Sequence, residues 1–166
     1  MMVDDLGRIP MSQHLAATLA RAASYADAQS HPEVTLEHLL LALAEDPDAA
    51  GVLRSSNVDL ARLAAEVSSH IGQIQDRRPP GGSHQVLISH DLKRILEAAA
   101  AAARQGRRSE INGAIVLAAI VGDGKSTAAH LLRAQGLTFE QAIRALQRAA
   151  SQAAARPAPP EPGPAP

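Results

Sequence analysis

The chain has 166 residues, 46% of them hydrophobic, and a formal net charge of −1, enough for one domain that buries a core without covalent staples. Near-neutrality removes any general attraction to nucleic acid or anionic membrane. Tyr25 and Phe139 are too few aromatics for a base-stacking platform, and the absence of cysteine excludes disulfides and thiolate metal sites.

Residues 1–11 carry two acids and lack a signal peptide's apolar run, so they read as an N-terminal extension. No segment approaches the roughly 18 uninterrupted apolar residues of a membrane span, and the chain is expected to be soluble and cytoplasmic. Ser12 caps a helix expected to run to about Gln29, with Leu15, Leu19, Ala22, Ala23 and Ala26 on its buried stripe. His31-Pro32 ends it. Thr35 caps a short second helix through Leu39, Leu40 and Leu43, and Asp46-Pro47-Asp48 makes a turn. A third helix ends near Asn57, a residue that tolerates the left-handed conformation. Asp59 then caps a fourth, with Leu60, Leu63 and Val67 facing inward. From Gly72 to about Ser89 the chain reads as an exposed linker containing Arg77-Arg78-Pro79-Pro80-Gly81-Gly82. After a second set of helices, the proline-rich stretch from Arg156 to Pro166 reads as a disordered tail.

That second set repeats the first. At an offset of 77, Leu15 meets Leu92, Leu19 meets Leu96, and Leu39-Leu40-x-Ala42-Leu43 meets Val116-Leu117-x-Ala119-Ile120. After two extra residues the match resumes, with Asn57-Val58-Asp59-Leu60 on Gly136-Leu137-Thr138-Phe139. The letters change while the local physics stays. Asn112 replaces Thr35 as a cap, Gly136 replaces Asn57 as a terminator, and Thr138 with Gln141 fits a capping box. The predicted fold is therefore all-α: a four-helix repeat over 12–71, a linker over 72–89, a second repeat over 90–153 and a tail over 154–166, the two repeats forming one eight-helix domain.

The segment Val34-Thr35-Leu36-Glu37-His38-Leu39-Leu40-Leu41-Ala42-Leu43 resembles the T-x-E-H-L-L-x-A-L stretch of the Clp N-terminal repeat domain, found at the front of ClpA, ClpC and ClpB ATPases. Ile111-Asn112-Gly113-Ala114-Ile115-Val116-Leu117-Ala118-Ala119-Ile120 is similar to the V-T-G-A-N-V-L-V-A-I stretch of ClpA in particular, and Ala129-His130-Leu131-Leu132-Arg133 also fits. The resemblance covers about residues 12–150. It implies a helical protein-binding module that receives substrates, or adaptors such as ClpS, for an ATP-driven unfoldase. No AAA+ module follows up to Pro166, so the resemblance implies an adaptor or regulator whose partners are a Clp ATPase, a ClpS-like adaptor or protein substrates. The alternative is a chaperone-like holdase that shields apolar segments. Oligomeric state is not legible in the sequence.

The resemblance also points to partner-binding residues. Glu37-His38 matches the family face that contacts adaptors, although Glu37 near a helix N-terminus is also explained by the macrodipole. Because the second copy has Ala114-Ile115 at these positions, a single partner face is expected, on the first copy. Ser89 and Arg94 match the ClpA region that contacts ClpS, and a cap and a solvated cation explain them equally well. Gly122-Asp123-Gly124-Lys125-Ser126-Thr127 imitates a phosphate loop, but Ala119 stands where its first glycine belongs and a helix precedes it where a strand is required. The seven histidines are scattered, His31 and His38 among them, and suggest no metal site. No nucleophile, base and carboxylate can be assembled into a catalytic order, so no enzyme activity and no cofactor are expected.

Overall fold

A computed structural model describes residues 9–73, 87–108 and 110–155, with Leu87 and residues 148–155 described as backbone. The Arg77-Arg78 stretch of the linker, residues 1–8 and the proline-rich stretch from Arg156 lie outside the described residues; the tail expected from residue 154 is corrected at its start, because residues 154 and 155 continue the last helix. The elements are α1 (Gln13–Ala28), β1 (Glu33–Val34), α2 (Leu36–Leu43), α3 (Pro47–Ser55), α4 (Leu60–Gly72), β2 (Leu87–Ile88), α5 (His90–Gln105), α6 (Gly113–Asp123), α7 (Thr127–Ala134) and α8 (Phe139–Ala155). The fold is all-α. Helices α1 and α5 occupy equivalent positions in the two copies, as do α2 and α6, α3 and α7, and α4 and α8.

The helix ends are set where capping residues stand. Ser12, Thr35, Asp59, Ser89, Asn112 and Ser126 each accept a hydrogen bond from a first-turn backbone N–H, satisfying donors that have no intrahelical partner. Thr138 and Gln141 make the expected reciprocal pair at 3.1 and 3.2 Å. At the other ends, Asn57 and Gly136 take positive φ of 61° and 94°, which turns the chain so that the N–H of Val58 reaches Leu53 and that of Leu137 reaches Leu132. Helix α1 stops in the same way. Ser30, at φ 57°, lets the His31 N–H bond the carbonyl of Ala26, one residue before Pro32.

One feature of the backbone departs from the sequence expectation. The end of the expected 72–89 linker and the two residues before the Thr35 cap form a parallel two-residue ladder, with Glu33 opposite Leu87 and Val34 opposite Ile88. Its counterpart is a parallel bridge between Met11 and Ile111. Each copy thus pairs the segment entering its first helix with the connection between the first two helices of the other copy. The closing bonds repeat as well: Ser89 N–H donates to Val34 O at 3.0 Å and Ser12 N–H to Ile111 O at 2.8 Å.

Helices α2 and α6 are the centre of the core. Leu39, Leu40 and Leu43 of α2 and Val116, Leu117 and Ile120 of α6 are fully buried, because each helix is wrapped by neighbours from both copies. Helix α2 packs on α1 and α4 and also on α5 and α7; α6 packs on α5, α7 and α8 and also on α3. The repeats therefore interlock around one hydrophobic cluster. Among the described residues no single helix is long and apolar enough to cross a membrane.

Candidate functional site

The second copy opens a groove of about 380 Å³ between α5, α6 and α8. It is lined by the buried Ile95 and Ile115, by small residues, Ala98 and Ala102 on α5 with Ala118, Ala119 and Gly122 on α6, and by Ile143, Leu146 and Phe139 of α8. Phe139 is 48% exposed, the one large hydrophobic left so open among the described residues. Its ring lies over Gly122 so closely that a methyl group on that glycine would stand 2.9 Å from Cε1. The absence of a side chain at Gly122 is what lets Phe139 lean across α6.

The corresponding face of the first copy is filled by its own side chains. At the positions of Ala98, Ala102 and Gly122 it has Arg21, Tyr25 and Glu45. The Tyr25 hydroxyl donates to Glu45 Oε2 at 2.8 Å, and Arg21 Nε stands 3.4 Å from the same oxygen. These bonds tie α1 to the end of α2, and Tyr25 packs half-buried on the core.

One end of the groove is polar. Arg94 bonds both carboxylate oxygens of Asp123 and reaches Asp91 at 3.4 Å. The hydrogen bond from Arg94 holds the Asp123 carboxyl below the usual carboxylate range, assisted by the guanidinium charge and the Lys125 backbone N–H. Gly124 ends α6 in the left-handed conformation at φ 69°, its carbonyl accepts from Arg133, and Ser126 caps α7. The glycine-lysine-serine run is thus a connection between two helices, its carboxylate held by Arg94. Among the described residues no three His, Cys, Asp or Glu side chains are grouped to hold a metal ion.

The four residues singled out in the sequence fall in different places. Arg94 lines the groove. Ser89 is buried as the cap of α5, accepting from Leu92 N–H at 3.2 Å. Glu37 sits half-buried in the first turn of α2, away from the groove lining. The expectation that His38 offers a surface contact is corrected, because its side chain is 0% exposed. His38 completes a capping box with Thr35, whose N–H donates to His38 Nδ1 at 3.0 Å. That nitrogen is therefore the acceptor, and Nε2–H donates to His31 Nδ1 at 2.8 Å. Burial, and then the neighbouring His31, lower the His38 pKa to about 4. The signal was present in the sequence: a histidine three residues after a threonine cap, where a glutamate or glutamine usually stands.

Sequence reasoning also missed a buried carboxylate. Asp46, read as part of a turn, is 0% exposed. Its Oδ1 accepts from the N–H groups of Asp48 and Ala49 at 2.9 and 3.1 Å, and its Oδ2 from the Thr18 hydroxyl at 2.7 Å. The carboxylate lies against Gly113, the first residue of α6, where a methyl group would overlap it. Asp-Pro at a helix start is a legible cap; its burial against the other copy is not.

The model of the Clp repeat (R) N-terminal domain family matches residues 10–135. A ClpA homolog protein of Fuscovulum blasticum is 32% identical over 133 residues, which is 80% of this chain and 17% of that protein. The chain thus spans less than a fifth of that relative's length. Among solved structures, the N-domain of ClpV from Vibrio cholerae superposes with a TM-score of 0.70 at 19% identity, covering 86% of each chain. The Hsp104 N-terminal domain from Candida albicans gives 0.72 at 16% identity, over 86% of this chain and 93% of that one. A ClpV N-domain in complex with a VipB peptide gives 0.63 at 22% identity, over 79% and 81%. With the double repeat, the reciprocal strand pairing and the matched caps in place, the chain belongs to the Clp repeat (R) N-terminal domain family.

Proposed function

We propose that this chain is a protein-binding module that docks segments of substrates or adaptors for a Clp-type unfoldase, and that it does so by contact without chemistry. The observation that carries the reading is the open apolar groove on the second copy, walled by the exposed Phe139. Concave, largely apolar sites with a few polar groups at one end are the usual form of a binding pocket, and the exposed Phe139 is continuous with the apolar lining of this one. A ClpV N-domain in complex with a VipB peptide shares this fold, which supports a peptide as the occupant. A Clp ATPase and a ClpS-like adaptor are the partners the family relationship favours, with Arg94 at the rim as a polar contact. Glu37 remains a candidate second contact on the first copy.

The test uses Ala98→Arg and Ala102→Arg, both at exposed positions, so the fold is retained while the groove is blocked. Titration of the purified protein with an unfolded client, and separately with a Clp adaptor and a Clp ATPase ring, is expected to show binding that either variant weakens at least about tenfold, a loss near 1.4 kcal/mol. Binding that both variants leave unchanged overturns the groove as the site. Binding of the unfolded client alone, with delayed aggregation and no affinity for adaptor or ring, would favour the holdase reading.

A further inference from the structure

We infer that the groove on the second copy selects an aromatic side chain, phenylalanine or tyrosine, presented by a peptide segment of the partner. This rests on the docking reading above and adds the chemistry of the occupant. The first copy supplies an internal template for what fills this surface. Where α5 has Ala102, α1 has Tyr25, whose ring packs on the core and whose hydroxyl reaches across to Glu45 at the end of α2. The second copy has the same helix pair with the ring removed and the far anchor reduced to Gly122. Helix pairing and core positions match through the offset of 77, so the space opened by Ala98 and Ala102 corresponds to the space Tyr25 fills in the first copy.

Two further observations favour an aromatic guest over an aliphatic or charged one. Phe139 lies over Gly122 at the end where the tip of a guest ring would arrive, and aromatic pairs in offset or edge-to-face contact gain beyond their buried area. The two ionic groups lining the groove, Arg94 and Asp123, are already paired with each other, and Arg94 also reaches Asp91. An incoming charge would have to break that arrangement or remain unpaired on an apolar floor.

The experiment is a titration of the whole chain with short soluble peptides identical except at one central position, occupied by Tyr, Phe, Leu or Ala, read by NMR shifts of the groove alanines. The Tyr and Phe peptides are expected to bind roughly three- to tenfold more tightly than the Leu peptide, with the largest shifts at Ala98, Ala102 and Ala118. Ala102→Tyr, which reproduces the first copy's filling, is expected to abolish those shifts while the rest of the spectrum is preserved. A Leu peptide that binds as tightly as the aromatic ones overturns the aromatic preference and leaves the docking reading standing. If no peptide perturbs the groove, the docking reading fails first and takes this inference with it. If Ala102→Tyr folds and still binds the Tyr peptide at full strength, the template argument is wrong.

Discussion

At the scale of single residues, the buried polar groups carry the sharpest consequences. The chain Thr35 N–H to His38 Nδ1, then His38 Nε2–H to His31 Nδ1, fixes the proton positions. An added proton would set donor against donor, at Thr35 or between the rings. His38 has a folded pKa of about 4 against an ordinary 6.5, so the unfolded chain binds more protons between those values. Stability is therefore at its full value above about pH 7 and falls as pH drops from 6.5 toward 4, by at most about 3 kcal/mol from this group. Urea melts across that range check it, and His38→Gln should flatten the slope. Asp46→Ala removes the α3 cap and the buried carboxylate beside Thr18, whose hydroxyl keeps the His14 carbonyl at 2.8 Å as acceptor, with an expected cost of about 1–2 kcal/mol by chemical denaturation.

Whole elements were the most legible part of the sequence, because a helix is specified by local chemistry. Caps and terminators work over three to five residues, and they repeat in both copies with different letters: Thr35 and Asn112, Asn57 and Gly136. Ser89 belongs to this set. Ser89→Ala is expected to lower stability by about 1 kcal/mol through loss of the α5 cap; unchanged stability in thermal melts would show that the hydroxyl serves contact alone. The two central helices carry the largest burial, and Leu117→Ala should cost roughly 2–5 kcal/mol, measured by urea midpoint. The strand segments escaped notice because two residues have no period to read, and their pairing partners lie in the other copy.

For the molecule as a whole, the reciprocal pairing of β1 with β2 and of Met11 with Ile111 means that neither copy closes its own backbone. Helix α2 of the first copy also packs on α5 and α7 of the second, α3 packs on α6, and the Gln135 amide donates to Glu66 at 2.7 Å. The chain is therefore expected to unfold in one cooperative transition, with helix content by circular dichroism and core packing by NMR lost together. A fragment of the first repeat alone should lack a stable fold. The sequence by itself determined the all-α class, the caps at Ser12, Thr35, Asp59, Asn112 and Thr138, the duplication and the family resemblance, since each follows from periodicity, capping or motif within a short window. It also showed that the copies differ on their surfaces. Only the tertiary structure decided that the open groove belongs to the second copy, that His38 is core, and that Asp46 is buried against Gly113. Each depends on which side chains from distant segments occupy the same space, and Tyr25 and Ala102 acquire opposite roles only when α1 and α5 are seen against their partner helices.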